Sequence, residues 1–135
     1  PYSTRPYQHV LEPLFAYLLI IKEQYEDIKY AGNYNVGPDE CDCLSTGDLV
    51  NLFCEKWKDG ASWENQSDNG PHEAGFLKLD CSKIKSTFGW KPTWHIEKTM
   101  EKICKWSKAD VAGYDIGSIT EKQIDEFLRD MTWKL

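Results

Sequence analysis

Residues 14–21 read Leu-Phe-Ala-Tyr-Leu-Leu-Ile-Ile, an unbroken apolar run directly after Glu12-Pro13. Proline costs nothing in the first turn of a helix, where its missing N–H has no partner to lose. The run therefore predicts a helix opening at Glu12-Pro13 and reaching about Tyr25 or Tyr30. A helix that is apolar nearly all round must be covered on more than one side. Either the rest of the chain covers it, or a partner surface does; the sequence leaves both open. The run is far short of the roughly 20 residues a spanning helix needs, and no basic segment precedes it as in a signal peptide. The expectation is no membrane partner and a cytoplasmic location.

The chain has 135 residues, enough for one ordinary domain without staples. Its formal net charge of −6 argues against nucleic-acid binding, which needs a basic footprint. The five cysteines, Cys41, Cys43, Cys54, Cys81 and Cys104, are an odd number and read as reduced thiols rather than a disulfide framework. Cys41-x-Cys43 is tighter than a zinc knuckle, and His9, His72 and His95 are scattered, so no metal site is expected.

Asn33–Val36 reads as a short strand stopped by Gly37-Pro38, with a loop over 38–44. Ser45-x-x-Asp48 resembles a capping box, and Leu49, Val50, Leu52, Phe53 and Trp57 follow at helical spacing toward Gly60. Residues 61–66 read as an edge strand and 67–71 as a turn. Asp80 or Ser82 can cap a short helix ending at Gly89. Ile96, Met100, Ile103 and Trp106 or Ser107 form the stripe of a further helix ending at Gly113. Thr120-x-x-Gln123 is a capping box for the last helix, with an Ile119–Ile124 staple and Ile124, Phe127, Leu128 and Met131 on one face. About five helices against two or three short strands make a helix-rich α+β chain, thin in strands for a complete α/β domain.

No Gly-x-Gly-x-x-Gly turn, phosphate loop or nucleophile elbow occurs. Tyr25-x-x-x-Lys29 has the spacing of a dehydrogenase tyrosine–lysine pair, but Glu26 and Asp27 between them oppose tyrosinate formation. Arg5-Pro6-Tyr7-Gln8-His9-Val10 is more informative. On an extended segment Arg5, Tyr7 and His9 share one face. An arginine fork suits a diphosphate, and a tyrosine can stack on a sugar or base. A surface ion pair and a core tyrosine explain the same residues equally well. His72 and Glu73 lie in a second polar segment, which also reads as a plain surface loop.

The decamer Arg5-Pro6-Tyr7-Gln8-His9-Val10-Leu11-Glu12-Pro13-Leu14 resembles the Arg-Pro-Trp-Gln-His-Val-Leu-Glu-Pro-Leu signature of the CDP-glucose 4,6-dehydratases. These are extended short-chain dehydrogenases/reductases of the NAD-dependent epimerase/dehydratase family. The resemblance continues at Tyr34–Pro38, Pro71–Lys83, Phe88–Pro92, Trp106–Ala109 and Ile119–Ile124, in the family's order. It implies an α/β enzyme of which residues 1–135 are only the C-terminal, substrate-binding portion. The N-terminal Rossmann domain, with its NAD site and catalytic residues, lies outside the chain. By the same resemblance, Arg5, Tyr7, Gln8, His9, His72 and Glu73 are the substrate-binding candidates. Tyr7 stands where this family more often has Trp, and His72-Glu73 where wider relatives place a phosphate-binding Arg. The implied partners are a CDP-sugar, the Rossmann domain and other copies in a homo-oligomer. The implied cofactor is NAD, held outside these residues, and the fragment alone is expected to be inactive. Another nucleotide-sugar dehydratase or epimerase, or a non-enzymatic helical interaction domain, remains the alternative.

Overall fold

A computed structural model describes residues 1–66 and 75–135. Five α-helices stand among these residues: α1 (Leu11–Glu26), α2 (Thr46–Trp57), α3 (Ser82–Phe88), α4 (Ile96–Val111) and α5 (Ile116–Asp130). Two short strands, β1 (Thr4–Pro6) and β2 (Cys43–Ser45), pair antiparallel with Arg5 opposite Leu44. The helix-rich α+β expectation holds. The turn expected at 67–71 falls outside the described residues, as do His72 and Glu73.

Local chemistry explains most boundaries. Ser45 Oγ accepts the Asp48 N–H at 3.1 Å and donates to the Asp48 carboxylate at 2.6 Å, fixing the start of α2. Gly89 takes φ +67° and closes α3 as its N–H returns to Lys85 O. Gly113, at φ +73°, follows α4 in the same way.

Three expectations are corrected. Residues 33–36 and 61–66 form no strand: a strand needs a hydrogen-bonded neighbour, and none flanks either segment among the described residues. In 33–36 the polar groups bond to side chains instead, with Val36 O accepting from Gln8 Nε2. The last helix starts a turn before Thr120. Asp115 caps it, accepting from the Gly117 N–H at 3.0 Å and the Ser118 hydroxyl at 2.6 Å. Thr120 lies within the helix, where its hydroxyl accepts from Trp106 Nε1.

The core has three patches. Ala16 and Leu19 of α1 meet Cys81, Ile84, Trp90 and Trp133. Leu52 of α2 meets Ile96, Met100 and Cys104 of α4. Leu11, Trp94 and Phe127 form the third, and half-buried Phe15 and Met131 touch both it and the first. The apolar helix α1 is thus covered on one side only. Leu14, Tyr17, Leu18, Ile21 and Tyr25 remain exposed, from 49% at Leu14 to 93% at Tyr25. Among the described residues no helix is long and apolar enough to cross a membrane.

Candidate functional site

The strand carrying Arg5 is flanked on both sides. Across one edge it pairs with β2; across the other, Thr4 forms a parallel bridge with Phe76. Thr4 N–H donates to Gly75 O at 3.0 Å, and Leu77 N–H donates to Thr4 O at 3.1 Å. The Arg5 strand and the Gly75-Phe76-Leu77 stretch of the Pro71–Lys83 motif, about 70 residues apart in sequence, therefore lie side by side. Arg5 is half-buried, and its Nη1 donates to Thr4 O at 2.9 Å.

The strand stops at Pro6, where the Tyr7 N–H turns back to Arg5 O. The alternation expected to put Arg5, Tyr7 and His9 on one face therefore does not run on through His9. The Tyr7 hydroxyl shares a hydrogen bond with Thr46 Oγ1 at 3.0 Å, while its ring rests on the Leu52–Met100 patch. Gln8 donates from Nε2 to Val36 O at 3.3 Å, while its Oε1 is buried with no hydrogen-bond partner. That orphan acceptor is a place for a donor to bind.

His9 is 6% exposed and works for the fold. Its Nδ1 accepts the Leu11 N–H at 3.2 Å, and its ring meets Trp94 edge-on at 5.0 Å. Since Nδ1 accepts, the neutral ring carries its proton on Nε2. Burial, helped by the Lys102 charge, lowers its pKa to about 4. His9 also lines an apolar groove of about 190 Å³ with Leu11, Ile103, Trp106 and Ile124.

Glu12, read from sequence only as part of a helix start, is fully buried. Its carboxylate accepts the Thr93 N–H at 3.0 Å and the Trp94 N–H at 2.6 Å. Burial raises its pKa, while the two backbone donors pull the other way. Glu12 thereby clamps the loop after Trp90-Lys91-Pro92 onto the start of α1. Two polar residues of the first motif, His9 and Glu12, thus have structural duties.

A second polar cluster escaped sequence reading altogether. Asp42, 4% exposed, accepts the Ile96 N–H at 3.0 Å through Oδ1 and meets His95 Nδ1 at 2.7 Å through Oδ2. That contact is the main cause of a raised His95 pKa. Cys41 stands next to the pair. The two halves are 53 residues apart, so no local spacing could announce them. Cys43, the other half of Cys41-x-Cys43, instead points its thiol at Asp39 O, 3.7 Å away.

Tyr25 and Lys29 do not form a catalytic pair. The helix ends at Glu26, Tyr25 is exposed, and Lys29 is bound to Asp27 at 2.7 Å.

No family model matches the chain. It is 39% identical over 133 residues to the CDP-glucose 4,6-dehydratase of Salmonella typhimurium strain LT2. The alignment takes in 98% of this chain but only 37% of that enzyme, so the chain spans little more than a third of its relative's length. Along nearly all of its own length, then, the chain is similar to one part of a CDP-glucose 4,6-dehydratase.

Proposed function

We propose that this chain is the C-terminal, substrate-recognising part of a cytoplasmic, NAD-dependent CDP-glucose 4,6-dehydratase. The observation that carries the reading is the bridge that sets the Arg5 strand beside Gly75–Leu77. The similarity to a curated dehydratase supports the choice of substrate. The whole enzyme would convert CDP-glucose to CDP-4-keto-6-deoxyglucose and water.

NAD does not fit this chain. Binding a dinucleotide takes a glycine-rich turn between a strand and a helix, and no such turn occurs in the sequence. The cofactor and the catalytic groups belong to an N-terminal Rossmann domain, and this chain is inactive alone. The exposed stripe of α1, Leu14 to Tyr25, is the surface such a partner would cover, because soluble proteins rarely expose contiguous apolar patches of that kind. The full enzyme would assemble as a homo-oligomer.

The part played by this chain is binding and orientation. Arg5 offers a planar fork for two diphosphate oxygens. Tyr7, two residues on, offers an aromatic edge to the nucleoside, and Gln8 Oε1 an unused acceptor. His72 and Glu73, which come just before Gly75 in the sequence, are further candidates to contact the substrate. His9 contributes by holding the start of α1 in place.

The test is the longer enzyme that carries this chain, assayed with CDP-glucose, dTDP-glucose and UDP-glucose. Preferential turnover of CDP-glucose is expected; turnover of dTDP-glucose alone would refute the cytidine assignment. Arg5→Ala should raise KM for the nucleotide sugar by about 1.5–3 kcal/mol equivalent, the loss of a charged hydrogen bond. An unchanged KM removes Arg5 from the site. The α1 stripe also suits a non-enzymatic interaction domain, and a longer protein that turns over no nucleotide sugar would favour that reading.

A further inference from the structure

Among the described residues, one set of cysteine, histidine and carboxylate side chains converges closely enough to share an ion. Cys41 and Asp42 lie in the 3-10 turn Glu40–Asp42, and His95 is the last residue before α4. One donor atom from each lies within 4.8 Å of the other two. Asp42 is buried and anchored through Oδ1 to the Ile96 N–H, whereas Cys41 and His95 are open to solvent. The set thus has one fixed member and two that can adjust.

The geometry favours a cation on three counts. First, Asp42 Oδ2 and His95 Nδ1 already face each other, 2.7 Å apart across a shared proton. A metal ion can take that proton's place, opening the pair to about 3.3 Å. Second, tetrahedral zinc with Zn–S near 2.3 Å and Zn–N near 2.0 Å separates its ligand atoms by about 3.5 Å. Closing from 4.8 Å or less needs at most about 1.3 Å of movement, within the reach of two exposed side chains. Third, Cys41 and Asp42 also form the wall of an open cleft of about 480 Å³ that bears Asp48, Glu55 and Glu97. The nearby lysines do not cancel this field outright. Lys56 is bound to Glu97 at 2.6 Å, Lys85 to Asp39 at 2.5 Å, and Lys78 to Glu40. The positive end of α4, which would oppose a cation, is answered by Asp42 Oδ1.

We infer that Cys41, Asp42 and His95 form a surface site for a borderline-soft divalent cation, Zn²⁺ or a close congener, with water completing its shell. Sulfur and imidazole donors select this class over Mg²⁺ and Ca²⁺, which take oxygen ligands. The site ties the 40–42 turn, which leads directly into the strand opposite Arg5, to the start of α4.

Titration of the reduced chain with Co²⁺ tests the site. One equivalent should bind with a thiolate-to-cobalt charge-transfer band and tetrahedral visible bands, and Zn²⁺ should displace it. Cys41→Ser should abolish the charge-transfer band, and His95→Gln should weaken binding at least tenfold. Cys41 and His95 are exposed, and glutamine at 95 keeps a donor for the buried Asp42 carboxylate. Cys43→Ser should leave band and affinity unchanged. No band in excess Co²⁺, a band that survives Cys41→Ser, or a band lost in Cys43→Ser would overturn the inference. So would metal uptake equal in wild type and His95→Gln, which marks adventitious binding only.

Discussion

Protonation of His9 should govern the acid stability of this chain. The ring is neutral in the fold, with its pKa lowered from 6.5 to about 4. In the unfolded chain it returns to about 6.5. Between these values the unfolded state binds a proton that the folded state refuses. The stability it lends is therefore complete above about pH 6.5 and lost as pH falls toward 4. A gap of about 2.5 units at 1.36 kcal/mol each sets an upper bound of about 3.4 kcal/mol, a large share of a typical domain's stability. Between pH 7.5 and 5 the loss is about 2 kcal/mol. Glu12 works in the opposite direction, since its raised pKa lets the folded state gain a proton on acidification. Comparison with His9→Asn cancels Glu12 and every other shared group. Asn also preserves an acceptor for the Leu11 N–H. Urea unfolding followed by tryptophan fluorescence at pH 7.5 and 5 gives the difference. At pH 7.5 the variant should be less stable, because it loses the edge contact with Trp94. By pH 5 that deficit should shrink by about 2 kcal/mol or reverse. A deficit that stays constant over this range would refute the neutral, buried assignment of His9.

The other predictions concern single contacts. Glu12→Ala leaves the Thr93 and Trp94 N–H groups without their acceptor and should cost about 2–6 kcal/mol in urea unfolding, at about 1–3 per stranded group; a change under 0.5 would contradict the clamp. Asp115→Ala should cost about 1 kcal/mol and Thr120→Ala less, since Asp115 is the cap of α5; the reverse order in thermal melts would restore the cap expected from sequence. Leu18→Glu and Ile21→Glu on the open face of α1 should change the stability of the isolated chain by no more than about 0.5 kcal/mol. In the proposed longer enzyme the same changes should lower the thermal unfolding midpoint, and an unchanged midpoint would argue against a covered α1.

Helix existence was legible because local rules govern it. The 3-and-4 spacing of Ile96 and Met100, and of Ile124, Phe127 and Met131, marked α4 and α5. Ser45 and Gly89 marked ends that the structure keeps. The start of α5 was misjudged because two capping signals stand five residues apart, and the Trp106 indole takes up the Thr120 hydroxyl. Strands were the weaker reading. Residues 33–36 have strand-like composition, but pairing depends on a neighbour that composition does not reveal. The polar clusters were illegible for a related reason. Glu12 meets Thr93, and Asp42 meets His95, across separations of 81 and 53 residues. The first motif stood out in the sequence, yet its letters hide two kinds of work. Arg5 remains a ligand candidate, while His9 and Glu12 carry the start of α1.

The most direct test of the central claim is a chimera. In it this chain replaces the aligned stretch of the Salmonella CDP-glucose 4,6-dehydratase, 37% of that enzyme. Its readout is KM for CDP-glucose and the formation of the 4-keto-6-deoxy product. The account predicts turnover of CDP-glucose, with KM raised by Arg5→Ala while NAD binding stays unchanged. A chimera that folds and holds NAD but neither binds nor dehydrates CDP-glucose would contradict it.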